Sequence, residues 1–90
     1  MKVWIFAGVE TEWVAANTEA EARDVLMRHY GIDQRDIDHG YESITSSDDL
    51  DNIWFRTDEW NEEADESVDK TAAEMMAGKT KPFVLGSTCH

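Results

Sequence analysis

The stretch E-W-V-A-A-N-T-E-A-E-A-R-D-V-L-M-R-H-Y-G-I, residues 12–32, decides the fold class because it has the pattern of a strand followed at once by a helix. Trp13 and Val14 suit a half-buried extended segment. Thr18 and Glu21 have the capping-box spacing, in which each side chain accepts a hydrogen bond from the backbone amide of the other residue. A helix is therefore predicted to begin directly after Thr18.

The residues after Thr18 have the apolar spacing of an amphipathic helix. Ala22, Leu26 and Tyr30 recur every four residues and share one face. Arg28 lies in the last turn, where a positive charge suits the helix dipole. Gly31 follows at the position where helices end with a positive φ. The spacing predicts a helix over residues 19–30, held close to the preceding strand by a short junction.

Residues 2–7 predict a first strand that is apolar on both faces. Val3 and Ile5 alternate with Trp4 and Phe6. Such a strand is either covered on both sides or lies inside a sheet with an exposed aromatic face. A hairpin with residues 13–16 is the simplest connection, although no Asn-Gly or Asp-Gly pair defines its turn.

The remaining elements follow from turn residues and periodicity. In chain order we predict a polar connection over 32–40, a short strand over 41–45, a loop or single helical turn over 46–52, a short strand over 53–56, a helix over 62–77 and a last strand over 82–87. The predicted fold is α+β, with order β-β-α-β-(β)-α-β. A small, mainly antiparallel sheet of three to five strands would carry two helices on one face.

Ninety residues predict a single domain over 1–90, with a net charge of −12. Residues 1–31 carry five acids and three bases, residues 32–69 carry fourteen and two, and residues 70–90 carry one and three. No apolar run approaches the roughly 20 residues of a membrane helix, and no signal peptide is visible. The single cysteine, Cys89, favours a reducing, cytoplasmic setting. The acidic excess of the middle segment repels nucleic acid and lipid headgroups and attracts basic protein surfaces.

The middle segment contains an acidic belt that has two interpretations. Its members are Asp33, Asp36, Asp38, Glu42, Asp48, Asp49, Asp51, Asp58, Glu59, Glu62, Glu63, Asp65, Glu66 and Asp69. Charge runs usually form a solvated face that keeps a small protein in solution. The alternative is imitation of DNA, which carries one charge per about 1.7 Å of axis. Imitation requires the carboxylates to share a face.

Two tryptophans, Trp54 and Trp60, lie within the belt. We favour core or helix-to-sheet packing for both. If they are partly exposed, they would be good interface anchors, because Trp is enriched at binding hot spots.

Metal binding and catalysis have weaker signals. The acidic pairs at Asp36 and Asp38, and at Asp48 to Asp51, do not continue into an EF-hand pattern. His29, His39, Cys89 and His90 lack zinc-ligand spacing. Phosphate-binding and nucleophile motifs are absent from the sequence. We therefore expect a non-enzymatic protein without cofactor or metal.

Two segments carry a resemblance to known proteins. E-W-V-A-A-N-T-E-A-E-A, residues 12–22, and T-A-A-E-M-M-A-G-K-T-K-P-F-V-L-G-S-T, residues 71–88, resemble small α+β proteins encoded by phages and mobile elements. Acidic proteins of that origin include anti-CRISPR and anti-restriction inhibitors, some of which imitate DNA. The resemblance covers about half of the chain, and it assigns no site residues.

The expected function is inhibition by binding. The acidic surface would occupy the basic groove of a host protein or ribonucleoprotein defence complex in the bacterial cytoplasm, without contacting nucleic acid or membrane. The candidate partner-binding residues are Asp48, Asp49, Asp51, Asp58, Glu59, Glu62, Glu63, Glu66, Trp54 and Trp60. The alternative is an accessory interaction module that works through an aromatic patch without nucleic-acid mimicry. The sequence leaves the oligomeric state open.

Overall fold

The computed structural model describes residues 1–63 and 66–87, with the backbone but not the side chains of 58–61 and 66–67. The strands are β1 (Lys2–Gly8), β2 (Thr11–Ala16), β3 (Tyr41–Ser47), β4 (Trp54–Asn61), β5 (Glu66–Thr71) and β6 (Phe83–Ser87). The helices are α1 (Glu19–Tyr30), α2 (Gln34–Gly40) and α3 (Ala72–Met76), with a 3₁₀ turn at Leu50–Asn52. Among these helices, none is long and apolar enough to cross a membrane.

The main sheet has four antiparallel strands in the order β3-β1-β2-β6, and β4 pairs with β5 in a separate hairpin. The predicted α+β class and the predicted hairpin between the first two strands are confirmed, with Trp4 opposite Val14 and Val3 opposite Ala15. Because β1 and β2 lie in the middle of the sheet, their alternating side chains supply the core on both faces.

Helix α1 matches its predicted limits. The Thr18 hydroxyl accepts a hydrogen bond from the amide of Glu21 at 3.2 Å, so the predicted N-cap is confirmed. Gly31 ends the helix with φ at 65°, a conformation that glycine adopts without the steric penalty of a Cβ. Ala22, Val25 and Leu26 are buried against the sheet.

Helices α1 and α2 cover the first face of the sheet, and the sequence pattern does not predict α2. Helix α2 begins at an N-cap, Asp33, within the stretch predicted to be a polar connection. Its Ile37 is fully buried together with Phe6, Val14 and Leu26. A short helix therefore closes the core at one end of β3 where a loop was expected.

The second face of the sheet is covered by the 3₁₀ turn, α3 and the β4–β5 hairpin. Val3, Ala15 and Leu85 form its buried centre with Ala72 and Met76 of α3, and Leu50, Ile53 and Phe55 pack around them. Strand β1 is thus covered on both sides, which was the first of the two alternatives for its apolar faces.

The helix predicted over residues 62–77 is wrong for most of its length. Residues 66–71 form β5, which pairs with β4 through Phe55 opposite Lys70 and Arg56 opposite Asp69. Among the described residues of this segment, 72–76 are the helical ones, and α3 lies on the face opposite α1. The pairing energy of the hairpin outweighs the helical spacing of Ala and Met in this segment.

Candidate functional site

The acidic turn between β3 and β4 is built by local hydrogen bonds. Ser47 accepts from the amide of Asp49 at 3.2 Å, and the Asn52 side chain donates to both carboxylate oxygens of Asp49 at 2.8 and 2.9 Å. Asp49 is therefore held in place by the turn itself. Asp48 and Asp51 are exposed and make no ion pair or side-chain hydrogen bond within the described residues. Their charges are directed to solvent.

The β4–β5 hairpin presents different side chains on its two faces. Phe55 points to the core, where its ring meets Trp13 edge-on at a centroid distance of 5.8 Å. Trp54, one residue earlier, is on the outer face and 61% exposed. Further along, the Thr57 hydroxyl donates to the backbone carbonyl of Val68 at 2.7 Å and ties the strands together.

The core-packing interpretation is therefore wrong for Trp54, and the reason is strand parity. Successive strand residues point to opposite faces, and Phe55 already occupies the inward position. An indole exposed to this extent next to the acidic turn is available as an interface anchor. The side chain of Trp60 lies outside the described residues, as do those of Asp58, Glu59 and Glu66.

Few positive charges offset the acids of this region. Between Asp48 and Thr71 the chain has ten acidic and two basic residues, a net charge of −8. Arg56 is 81% exposed, and its Nε is 4.0 Å from an Asp69 oxygen, so solvent screens this pair strongly. Glu62 and Glu63 are exposed at the turn of the hairpin. We call residues 48–51 together with the β4–β5 hairpin the acidic surface.

The acidic side chains of α2 and its N-cap form hydrogen bonds and ion pairs within the fold. Asp33 and Asp36 form a reciprocal capping box with N···O distances of 3.0 and 3.1 Å. Asp38 accepts a hydrogen bond from Arg23 at 2.8 Å, and Arg23 also contacts Glu19 at 3.2 Å. The hydrogen bond to Asp38 raises the pKa of Arg23 above its usual value, and Glu19 adds to the effect.

The acidic belt is consequently divided. Helix α2 precedes β3 and packs on the first face of the sheet, whereas the acidic turn follows β3 and packs on the second face through Leu50. Strand β3 has seven residues, so the two groups lie about 20 Å apart along it. The carboxylates of α2 and those of the acidic turn therefore do not share one face. The candidate partner-binding residues whose side chains the structure describes all belong to the acidic surface: Asp48, Asp49, Asp51, Trp54, Glu62 and Glu63.

Sequence reasoning missed a buried carboxylate at the other end of the sheet. Glu12 is 1% exposed and accepts hydrogen bonds from the Tyr30 hydroxyl at 2.9 Å and the Ser87 hydroxyl at 2.8 Å. The β1–β2 register places Glu12 opposite Phe6, which is on the core face. That alternation was the signal that could have found it. The contacts join β2, α1 and β6, so the group is explained as a link within the fold.

Within residues 1–63 and 66–87, no group of three or more His, Cys, Asp or Glu side chains is placed to hold a metal ion. His29, which lacks zinc-ligand spacing in the sequence, is exposed and stacks edge-on against Tyr30 at a centroid distance of 4.7 Å. The described geometry thus defines a small three-layer α+β protein with an acidic, tryptophan-bearing surface. Comparisons with protein-family models, curated proteins and solved structures find no match to this chain.

Proposed function

We propose that this chain is a non-enzymatic inhibitor of the type encoded by phages. The acidic surface occupies the basic nucleic-acid groove of a defence complex in the host cytoplasm, in the manner of anti-CRISPR proteins that imitate DNA. The observation that carries the proposal is the exposure of three carboxylates on the acidic surface and their lack of partners within the described residues. Asp48, Asp51 and Glu62 are exposed and unpaired within the described residues, while the acids of α2 are used for capping and ion pairing.

Electrostatic cost supports this reading of the acidic surface. Like charges brought together in a segment of net charge −8 repel one another and lower the stability of the folded state. Solubility needs a net charge of about 2 to 8 for a small domain, spread over the surface with both signs. The chain instead concentrates its negative charge in one turn and one hairpin. A basic groove would recover the repulsion energy when it binds this surface.

Capture from a bacterial lysate tests the proposal. The immobilised chain should retain a nucleic-acid-binding complex, and added duplex DNA should displace that complex. Raising the salt from about 50 to about 200 mM should also release it, because the contact would replace phosphate contacts. Neutralising Asp48→Asn with Asp51→Asn should weaken retention. The control, Glu10→Gln with Glu42→Gln, removes the same charge from other exposed positions. Retention that resists both salt and DNA would contradict mimicry.

A second candidate function rests on the exposure of Trp54. An accessory interaction module would use this indole as its anchor, with the carboxylates only as a polar rim. Binding would then depend on Trp54 and survive neutralisation of the acids. The same capture experiment separates the two candidates when Trp54→Ala is compared with the charge variants.

A further inference from the structure

The outer edge of β3 is open. Strand β3 lies at one end of the order β3-β1-β2-β6, and β1 is the one described strand that pairs with it. Residues 43–47 pair with β1 in a regular register, from Ala7 opposite Ser43 to Val3 opposite Ser47. Within residues 1–63 and 66–87, no backbone hydrogen bond joins the other side of residues 43–47 to a further element. A row of backbone N–H and C=O groups therefore faces solvent.

This edge lacks the features that usually block the addition of a strand. Natural edge strands carry Lys, Pro or a bulge that prevents another chain from pairing with them. Residues 43–47, S-I-T-S-S, contain no charged residue and no Pro, although 31% of the chain is charged. The edge at β6 differs, because that strand begins directly after Lys81 and Pro82. The sequence therefore leaves the β3 edge open to pairing with another chain.

The open edge lies between two negatively charged segments. Residues 33–42 carry four acids and one base, residues 43–47 carry no charge, and residues 48–51 carry three acids. Each of the two flanks therefore has a net charge of −3. The capping hydrogen bonds of Asp33 and Asp36 come from backbone amides, which are uncharged, so these bonds leave both carboxylates negative.

The two flanks lie on different faces of the sheet. Asp36 lines a cavity of ≈ 370 Å³ together with Gly40 and Tyr41, so this residue lies beside the start of β3. Its helix, α2, packs on the first face. Asp48 follows the end of β3, and its turn packs on the second face through Leu50. The flanks are about 20 Å apart along the strand.

We propose that the edge of β3 binds an extended segment of a partner protein as an added strand. The segment has two basic residues, then about five uncharged residues rich in β-branched side chains, then two more basic residues. Its backbone pairs with residues 43–47, and its basic ends lie beside the two acidic flanks. Peptides commonly bind by adding a strand at a free sheet edge. This proposal goes beyond the acidic surface, and it does not depend on whether that surface imitates DNA.

Strand alternation explains why each end of the segment has a pair of basic residues. Successive side chains of a strand point to opposite faces, so each pair places one cation on the first face and one on the second. One end then meets Asp36 on the first face, and the other end meets Asp48 on the second face. Five uncharged residues between the inner basic residues span about 20 Å, which matches the separation of the flanks.

A segment with basic ends fits this edge better than β3 of a second copy does. Pairing two copies along this edge places an acidic flank of one copy beside an acidic flank of the other, in either strand direction. Like charges placed together across an interface oppose association, and the net charge of −12 on each copy adds long-range repulsion. The same charges attract a basic segment.

Fluorescence anisotropy with a labelled peptide, acetyl-Lys-Lys-Val-Thr-Val-Thr-Val-Lys-Lys-amide, tests the proposal on the full chain. We expect saturable binding. A peptide of the same composition with its Lys residues near the centre, acetyl-Val-Thr-Lys-Lys-Val-Lys-Lys-Thr-Val-amide, should bind about tenfold more weakly. The first peptide with N-methyl groups on all five central residues should not bind, because it keeps its side chains but cannot donate the hydrogen bonds of an added strand.

Amide hydrogen exchange shows where the peptide binds. Binding should slow exchange at alternate residues within 43–47, since the outward N–H groups of an edge strand alternate with those already paired to β1. The amides of β6 should exchange at unchanged rates. Protection of β6 in place of β3 would overturn the proposal. Dimerisation that protects the same β3 amides without peptide would assign the edge to a second copy instead.

Matched variants of the protein test the acidic flanks. Asp48→Asn with Asp51→Asn should weaken peptide binding roughly fivefold to tenfold, the range for two exposed charge contacts. The control, Glu21→Gln with Asp24→Asn, removes the same charge from α1, which lies over β2 and β6, and should leave binding nearly unchanged. Equal loss in both variants, equal binding of the two Lys peptides, binding that survives N-methylation, or no binding would each contradict the proposal.

Discussion

The ring of Phe55 lies against Gly86, with its Cδ1 atom 2.8 Å from the point where a Cβ of residue 86 would stand. This approach brings the β4–β5 hairpin into contact with β6 of the main sheet. A side chain at position 86 would occupy the volume of the ring, so glycine is required by the packing of the hairpin. The placement of the acidic surface on the molecule depends on this contact.

Gly86→Ala should therefore loosen the hairpin. Overpacking of this kind costs about 1–3 kcal/mol, and urea unfolding followed by tryptophan fluorescence would measure it. Combining Gly86→Ala with Phe55→Leu should recover part of the loss, because the smaller side chain makes room. Gly40→Ala is the control, since a Cβ there meets nothing within 4 Å. Equal stability of wild type and Gly86→Ala would show that the ring moves without cost.

Gly8→Ala should be more damaging than Gly86→Ala. A Cβ at Gly8 would stand 2.5 Å from the carbonyl oxygen of Gly40 and 3.1 Å from the Cα of Tyr41, and both are backbone atoms. Backbone cannot rotate away as a ring can, so the junction of α2 and β3 must shift. We expect a loss of about 3 kcal/mol or more. A smaller loss than that of Gly86→Ala in the same unfolding assay would contradict this ranking.

The predictable part of the fold is the part with local signals. Thr18 and Gly31 mark both ends of α1 within the sequence, and the structure uses both. The same capping logic explains the errors. Asp33 and Asp36 form a capping box with Asp in place of the usual Glu, so the sequence pattern predicts a connection where α2 forms. Thr71 and Glu74 form the box that begins α3.

Strand β5 could not be predicted from the sequence because the interaction that makes it a strand is not local. The Ala, Val and Met spacing of residues 62–77 suits a helix, and its early acids suit a helix N-terminus. What makes residues 66–71 a strand is pairing with β4, which no window over the segment reveals. Prediction of the site is limited in the same way. Strand parity places Phe55 inward and Trp54 outward in the structure, but the four-residue run 53–56 does not show which of the two side chains faces the core.

The side chains of Tyr30 and Glu12 should be energetically coupled through the hydrogen bond between them. Glu12 is buried, and a hydrogen bond to a charged group contributes about 1.5–3 kcal/mol. In a double-mutant cycle, Glu12→Gln and Tyr30→Phe should each destabilise the fold, with a coupling energy of about 1 kcal/mol. Glu10→Gln removes the same charge from the exposed turn and should be neutral. Additive effects would show that the two side chains act independently.

Trp54→Ala should leave folding stability nearly unchanged, because the indole is 61% exposed and outside both core clusters. Surface substitutions of this kind fall within about ±0.5 kcal/mol. Retention of the captured complex should fall by about tenfold or more if the indole is a hot spot. The matched change Val9→Ala removes a fully exposed apolar side chain from the β1–β2 turn and should have no effect on retention.

Arg56→Gln gives the two candidate functions opposite expectations. Arg56 is one of two bases on the acidic surface, and its pairing with Asp69 at 4.0 Å is too weak for its loss to alter folding. If the surface imitates DNA, removing this cation should strengthen binding to a basic groove by up to about fivefold. The gain should be largest at low salt, where screening is weakest. Arg35→Gln, on α2, is the matched control.

An aromatic interaction module would respond differently to the same change. Binding anchored by Trp54 would be unaltered by Arg56→Gln at any salt concentration, because an apolar contact does not depend on the local charge. Weaker binding would mean that Arg56 itself contacts an acidic group on the partner, and this result would contradict mimicry. Binding is therefore titrated with wild type, Arg56→Gln and Arg35→Gln at two salt concentrations. A higher affinity of Arg56→Gln than of wild type supports electrostatic imitation, and an equal affinity supports aromatic anchoring.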